Sequence, residues 1–162
     1  MTITRLSLVG LLVAIGVTPH AQPAGSSSVV GVWRVSQIMT GGPNPRPLTS
    51  STGIVIFTQR HYSISQVTSD KPRPEFPPKK EATDKQRADA YEPFTGQAGT
   101  YEINGDEMTI RPAVSMNPNL MRAGSFTTVT FVREGNTLSI TFKADENGPL
   151  LNKITMKYTL VE

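Results

Sequence analysis

Apolar and polar residues alternate with a period of two along the C-terminal half of the chain. The alternation is regular over residues 100–103, 108–111, 137–143 and 153–160. A period of two places successive side chains on opposite faces of a strand, so these segments are predicted to form half-buried antiparallel strands. Between the first two segments lies Asn104-Gly105, a dipeptide that strongly favours a two-residue hairpin turn.

Further strands are predicted where β-branched and aromatic residues cluster between turn residues. They cover residues 29–39, 53–58, 61–67 and 122–133, and the hairpin at Asn104-Gly105 joins 100–103 to 107–114. Two proline-rich segments, 43–47 and 72–78, are predicted to be loops because proline cannot donate a ladder hydrogen bond. The pattern therefore predicts eight strands in all.

One short helix is predicted between these strands. Thr83 and Gln86 have the spacing of a capping box, in which each side chain bonds the other residue's backbone amide. The helix is expected to run from residue 83 to about residue 92, where Pro93 and Gly96 end it. Its apolar side is weak, so we interpret it as a lid or plug.

The expected architecture is all-β: an eight-stranded antiparallel up-and-down barrel with one short helix. Eight strands joined by short turns would leave exposed edges in an open sheet, and closure removes those edges. A barrel of this size has an interior wide enough for one small ligand. A two-sheet sandwich is the alternative arrangement.

The N-terminal residues resemble a secretory signal peptide. Arg5 precedes an uncharged apolar run, Leu6 to Val17, that is too short to span a bilayer. We predict a signal peptide over 1–21 with cleavage near 21–24, a flexible segment over 22–28 and a barrel domain over 29–162. The protein is thus expected to be exported, to the periplasm or the medium, without a stable membrane anchor. A buried N-terminal helix is the alternative.

Composition removes several classes of chemistry. The 162 residues include no cysteine and two histidines, His20 and His61, so thiol catalysis and cysteine-ligated metals are excluded. The net charge of +3 comes without clustered basic residues, which argues against nucleic-acid binding. No catalytic constellation, metal site or cofactor is predicted, and the oligomeric state is left open.

Several motifs together resemble the bacterial lipocalin-like domain proteins, over residues 30 to 161. They are Gly31-Val32-Trp33 at the head of the first strand, residues 53–58 leading into Tyr62, the helix start at 82–84, residues 99–106, and the hairpin 131–138. The resemblance implies a calycin-type barrel whose closed end is plugged by Gly31 and Trp33. Lipocalins cover this tryptophan with an arginine near the last strand. Here Lys157 occupies the last strand and Arg133 is the nearest arginine in the sequence, so the covering residue is left open.

The resemblance implies a binding protein for a small hydrophobic or amphipathic molecule held in the barrel interior. The polar or amphipathic residues expected to point inward and contact it are Arg34, Tyr62, Tyr101, Arg111, Arg122 and Tyr158. A barrel filled by its own side chains is the competing interpretation. Two other functions stay open: a cavity-based cyclase or isomerase, and an envelope interaction protein without a small ligand.

Overall fold

A computed structural model describes residues 28–49, 51–78 and 80–162. The predicted signal peptide 1–21, and the segment 22–28 apart from Ser28, lie outside the described residues. The described part contains one α-helix, α1 (Asp84–Tyr91), and one 3₁₀ helix (Pro118–Met121). Its strands are β1 (Gly31–Met39), β2 (Thr52–Phe57), β3 (His61–Val67), β4 (Phe94–Asn104), β5 (Glu107–Ser115), β6 (Thr127–Glu134), β7 (Thr137–Asp145), β8 (Gly148–Pro149) and β9 (Thr155–Leu160).

Eight of the strands close into an antiparallel up-and-down barrel, as predicted. Each strand from β1 to β7 pairs with the next in the sequence, and β9 lies between β7 and β1. The two-residue strand β8 pairs only with β7 and stands outside this ring. The ring therefore has no free edge, which removes the aggregation hazard of an open sheet.

The two ends of the barrel differ. Short turns join β2 to β3, β4 to β5 and β6 to β7 at one end, where Gly105 and Gly135 adopt φ values of 65° and 58°. Asn104-Gly105 thus forms the predicted hairpin. The long connections between β1 and β2, β3 and β4, and β5 and β6 all lie at the other end, which we call the open end. The helix α1 belongs to this end.

The capping box predicted for α1 is present. The Thr83 side chain accepts a hydrogen bond from the Gln86 amide at 3.2 Å, and the Gln86 side chain accepts one from the Thr83 amide at 2.9 Å. Only Ala90 of the helix is buried, in agreement with its weak apolar side. The helix is therefore held by its cap and its connections more than by a packed face.

Two strands begin far from their predicted starts, whereas the other predicted bounds differ by no more than about two residues. Strand β4 begins at Phe94, six residues before the predicted start. The prediction missed these residues because the glycines at 96 and 99 interrupt the alternation that marks a strand. Strand β6 begins at Thr127, not at Arg122. The preceding residues form the 3₁₀ helix, which Asn117 caps, and Gly124 has a φ of 83° that breaks an extended strand.

The barrel interior is packed with apolar side chains. Trp33 is fully buried there, and its indole N–H donates to the Val29 carbonyl at 2.7 Å. The guanidinium of Arg133 covers the Trp33 ring, whereas Lys157 is exposed on the outer face. The sequence left open which residue covers Trp33, and the structure shows that it is Arg133. The largest fully buried side chains after Trp33 are Tyr158, Phe57, Ile38, Met108 and Leu138.

Candidate functional site

A pocket of about 580 Å³ lies at the open end of the barrel. It is bounded on one side by the junction of α1 with β4 and on the other by the end of β5 and the 3₁₀ helix. The lining residues that matter here are Tyr91, Phe94, Thr95, Gln97, Met116 and Leu120. A concave site with apolar walls and a few polar groups is the usual form of a small-molecule site.

The register of β3 and β4 determines which side chains form the floor of this pocket. Gln97 pairs with Ile64 and Thr95 pairs with Gln66, and both β3 residues are buried inside the barrel. Directly paired residues share a face of a sheet, so Gln97 and Thr95 also face the interior. The floor is therefore polar, at the point where the pocket meets the barrel.

The walls are joined across the pocket mouth. The Tyr91 hydroxyl at the end of α1 donates to the backbone carbonyl of Met116, which follows β5. On the helix side, the Arg73 guanidinium lies 5.6 Å from the centre of the Phe94 ring. These contacts hold α1 and the β5 connection on either side of the pocket, although neither element packs deeply into the core.

Two buried side-chain atoms of the described residues have no hydrogen-bond partner: the Tyr62 hydroxyl and the Gln97 side-chain carbonyl. Buried polar atoms are nearly always paired, so such exceptions call for an explanation. Tyr62 is 2% exposed and pairs with Gly99, while Gln97 lies two residues from Gly99 on the same strand. The two side chains are therefore diagonal neighbours inside the barrel.

Other polar groups of the interior are paired with protein atoms. The Tyr158 hydroxyl donates to the Met156 sulfur at 3.0 Å, and the Gln66 amide donates to the same sulfur at 3.4 Å. The Tyr101 hydroxyl donates to the Thr58 carbonyl at 2.5 Å, in the turn between β2 and β3. Tyr101 thus makes a structural bond at the end opposite the pocket.

Burial raises the pKa of three interior tyrosines. Desolvation raises the pKa of Tyr62 and of Tyr158 well above the ordinary value of 10, and it also raises the pKa of Tyr101. A general acid or base works best with a pKa near the operating pH. These hydroxyls therefore stay protonated at neutral pH and act there as neutral hydrogen-bonding groups.

A second concavity also lies at the open end. It has a volume of about 670 Å³ and lies between residues 39–45 and residues 151–155. Leu151 on its rim is 97% exposed. Although it is the larger of the two, neither of the unpartnered buried atoms belongs to the residues that line it. We therefore place the candidate site in the pocket floored by Gln97.

An exposed ion pair ties two loops of the open end together. Both guanidinium nitrogens of Arg46 donate to the Asp70 carboxylate, at 2.7 Å and 2.6 Å. The hydrogen bonds and the positive charge of Arg46 lower the pKa of Asp70. This pair joins the β1–β2 connection to the segment that leads to α1.

The structure divides the predicted site residues into two groups. Tyr62, Tyr101 and Tyr158 are buried inside the barrel. The expectation that Arg34, Arg111 and Arg122 point inward is not met, because all three are exposed.

Each arginine has a different reason for lying outside. Arg34 pairs with Ile54 and Thr159 on the outer face of the sheet. Arg111 lies over the Phe126 ring at 5.7 Å, and Arg122 follows the 3₁₀ helix and donates to the Asn119 side chain at 2.7 Å. In a strand, a shift of one residue moves a side chain to the opposite face, and the sequence did not determine that register.

Sequence analysis missed Gln97, Tyr91, Met116 and Leu120. Gln97 stands in the part of β4 for which no strand was predicted, so no face could be assigned to it. A signal was present in Gly99, because a glycine in a strand often marks a close approach of another backbone. Tyr91 was predicted only as part of the last turn of the helix, and its bond to Met116 is a tertiary contact that local pattern does not encode.

Among residues 28–49, 51–78 and 80–162, no three histidine, aspartate or glutamate side chains come together as metal ligands would. In the same residues, no helix combines the length and apolar character needed to cross a bilayer.

An eight-stranded up-and-down barrel, with a tryptophan of its first strand buried at one end beneath an arginine, defines a lipocalin-type protein. The sequence model of the lipocalin-like domain family matches residues 30–156, and the chain belongs to this family. A search of curated proteins gave no match.

Proposed function

We propose that the protein binds a small amphipathic molecule at the open end of its barrel, in the pocket between α1 and the 3₁₀ helix. The observation that carries this proposal is the Gln97 side-chain carbonyl, which is buried without a partner on the floor of an apolar-walled pocket. A bound polar group would supply that partner. The walls would bury the apolar remainder of the molecule.

The energetics favour such a ligand. A buried polar atom without a hydrogen bond costs about 1–3 kcal/mol, and a ligand that satisfies it recovers part of that cost. Apolar surface removed from water contributes roughly 25 cal/mol per Å², so contact with Phe94, Met116 and Leu120 would add to the affinity. Because the barrel core below the pocket is packed with buried side chains, we locate the proposed ligand at the mouth of the barrel.

Fluorescence titration with N-phenyl-1-naphthylamine, an uncharged amphipathic probe, tests the proposal. The expected result is saturable binding with a 1:1 stoichiometry. Leu120→Glu, which puts a charge into the pocket, should abolish it. Leu151→Glu is the matched control, because it makes the same change at the other depression and should leave binding unchanged.

Two results would contradict the proposal. One is the absence of saturable probe binding to the folded protein. The other is loss of binding in Leu151→Glu but not in Leu120→Glu, which would move the site to the second depression. Circular dichroism of both variants shows that each still forms the barrel.

We further propose that the protein is exported. The support is in the sequence: Arg5, the apolar run from Leu6 to Val17 and the polar stretch that follows it. Fractionation of cells that express the full chain with a C-terminal tag tests this, together with the mass of the recovered protein. Export predicts a product shortened by 21 to 24 residues outside the cytoplasm, and a full-length cytoplasmic product would contradict it.

A further inference from the structure

Three of the four connections at the open end expose large apolar side chains to water. They join β3 to β4, β5 to β6 and β7 to β9, and the last also lies at this end because β7 runs away from the hairpin at Gly135. The exposed side chains are Phe76, Tyr91, Met121 and Leu151. Among the described residues, the large apolar side chains exposed on the strands are all valine or isoleucine, which are favoured in strands. None of the four at the open end is β-branched, so strand propensity does not explain them.

Charge is distributed unevenly between the two ends of the barrel. Five acidic residues lie in or next to the turns at the end with short turns, or directly after β9: Glu102, Asp106, Glu107, Glu134 and Glu162. Only Arg60 and Arg133 oppose them there. The four connections of the open end, residues 40–51, 68–93, 116–126 and 146–154, contain nine basic and seven acidic residues, and three of those acidic residues are neutralised by ion pairs within this end. An anionic surface therefore attracts the open end and repels the other.

Positive charge is densest in residues 71–80, which lead from β3 toward α1. The segment contains four basic residues and one acidic one, and its four prolines exclude a regular helix or a central strand. Lys71, Arg73 and Lys80 are exposed and form no ion pair with the described residues. The exposed ring of Phe76 lies between them in the sequence. This combination suits the interface of an anionic bilayer, where an aromatic ring enters the headgroup region and basic side chains are attracted to lipid phosphates.

We propose that the open end of the barrel docks reversibly on the surface of a bilayer that contains anionic phospholipids. The exposed apolar side chains of this end enter the headgroup region, and residues 71–80 lie against the lipid phosphates. Each contribution alone is weak, so docking needs apolar insertion and electrostatic attraction together. The inference goes beyond the proposed function and does not depend on it. Docking in this orientation also brings the mouth of the 580 Å³ pocket to the lipid surface.

Cosedimentation with vesicles tests the docking. The protein recovered from expression of the full chain is mixed with vesicles of phosphatidylcholine alone, or of phosphatidylcholine and phosphatidylglycerol in equal amounts. Binding to the vesicles with phosphatidylglycerol is expected to be at least about tenfold tighter, and to be lost in about 1 M salt, where the Debye length falls to about 3 Å. Equal binding to both vesicles, or no binding to either, would overturn the inference. Retention on a heparin column without vesicle binding would assign the charge to a soluble polyanion and overturn it as well.

A pair of double variants tests the apolar contribution. Phe76→Ser combined with Leu151→Ser removes two exposed side chains of the open end and should weaken vesicle binding by at least about tenfold. Ile54→Ser combined with Val132→Ser is the matched control, because these side chains are exposed on the barrel wall, and binding should be unchanged. Equal weakening in the two double variants would overturn the assignment to the open end.

A second pair tests the charge. Lys71→Gln combined with Lys80→Gln should weaken binding by about tenfold or more, since each basic residue near an anionic surface contributes to the attraction. Arg34→Gln combined with Lys157→Gln lowers the net charge by the same amount on the outer wall of the barrel and should have little effect. All these variants share the N-terminal sequence of the parent, so that sequence cannot explain a difference between them. Equal losses in the two pairs would show that binding follows net charge alone and would overturn the inference.

Fluorescence quenching tests the orientation. Trp33, the single tryptophan, is fully buried near the start of β1, at the end with short turns. Vesicles of brominated phosphatidylglycerol should therefore leave its emission unchanged. Phe76→Trp adds a second tryptophan at the open end, whose emission should shift to the blue with phosphatidylglycerol vesicles and be quenched by the brominated lipid. Quenching of Trp33 in the parent protein, or none in Phe76→Trp, would overturn the orientation.

Discussion

The guanidinium carbon of Arg133 lies 5.1 Å from the centre of the Trp33 ring. The arginine belongs to β6 and the tryptophan to β1, two strands that are not neighbours in the barrel. Arg133 also donates to the Ser28 carbonyl at 2.5 Å and to the Gly135 carbonyl at 3.1 Å. It thus fastens the start of the described chain and a hairpin over the buried tryptophan, and it closes this end of the barrel.

Replacement of Arg133 should weaken that closure. Arg133→Gln removes the cation–π contact and the fork of N–H donors, and we expect a loss of about 1–2 kcal/mol in the free energy of unfolding. Urea unfolding followed by the fluorescence of Trp33, the single tryptophan, measures it. Lys157→Gln is the control, since Lys157 is exposed on the outer face and should change stability by less than about 0.5 kcal/mol. Equal losses in the two variants would contradict this role of Arg133.

Two tyrosine substitutions should have opposite effects on the ligand-free protein. Tyr62→Phe removes a buried hydroxyl that has no partner, so the free energy of unfolding should stay the same or rise by about 1 kcal/mol. Tyr101→Phe removes the bond to the Thr58 carbonyl and should lower it by about 1 kcal/mol. Thermal and urea unfolding of both variants compare them. A clear loss of stability in Tyr62→Phe would show that its hydroxyl is paired in solution.

The sequence predicted features that depend on neighbouring residues better than features that depend on contacts between distant segments. Short-range signals worked: Asn104-Gly105 formed its turn, and Thr83 with Gln86 formed the cap. The eight barrel strands followed from alternation and from clusters of β-branched and aromatic residues, and the plugging position of Trp33 followed from its motif. The start of β4 did not follow, because two glycines erase the alternation there.

The candidate site was harder to predict because it depends on contacts between distant segments. Because the start of β4 was not predicted, Gln97 could not be assigned to either face of the sheet. The floor of the pocket was therefore not predicted. The arginines expected inside show the same limitation, because residue type says nothing of register. Arg133 over Trp33 is likewise a contact between β6 and β1 that no local pattern encodes.

The buried tyrosines should make no pH-dependent contribution to the free energy of unfolding near neutrality. In alkali they should make it fall steeply. Burial raises the pKa of Tyr62 and Tyr158 in the folded state, while the unfolded chain titrates near 10. Above about pH 10 the unfolded state has lost protons that the folded state retains, so each such tyrosine lowers the free energy of unfolding by about 1.4 kcal/mol per pH unit. Below that pH both states are protonated and the contribution of these groups is constant.

Tyr62→Phe separates this effect from general alkaline denaturation. The variant should lose stability less steeply above pH 10 than the parent protein, by the slope of one tyrosine. Urea unfolding at a series of alkaline pH values, with spectrophotometric titration of tyrosinate in the folded protein, measures both quantities. Identical slopes for the variant and the parent would mean that Tyr62 ionises in the folded state as readily as in the unfolded chain.

Of the residues in β4, Gly99 should tolerate substitution least. A Cβ atom there would lie 2.1 Å from the Arg111 carbonyl oxygen, a backbone atom of β5 that cannot move without breaking the pairing. Gly99→Ala should therefore lower the free energy of unfolding by about 3 kcal/mol. Gly96→Ala is the matched control on the same strand, because its closest contact, at 3.1 Å, is the movable Phe94 ring, and its cost should stay within about 1 kcal/mol.

The same pair of variants links the strand geometry to binding. The β4–β5 register shifts between Ala98 and Gly99, immediately beside Gln97, so a strained residue 99 should displace the Gln97 carbonyl from the pocket floor. N-phenyl-1-naphthylamine should bind Gly99→Ala more weakly than Gly96→Ala at a temperature where both variants are folded. If Gly99→Ala matches Gly96→Ala in both stability and probe affinity, the close approach of β5 does not control the site, and the position of Gln97 must be set by the pairing of β4 with β3.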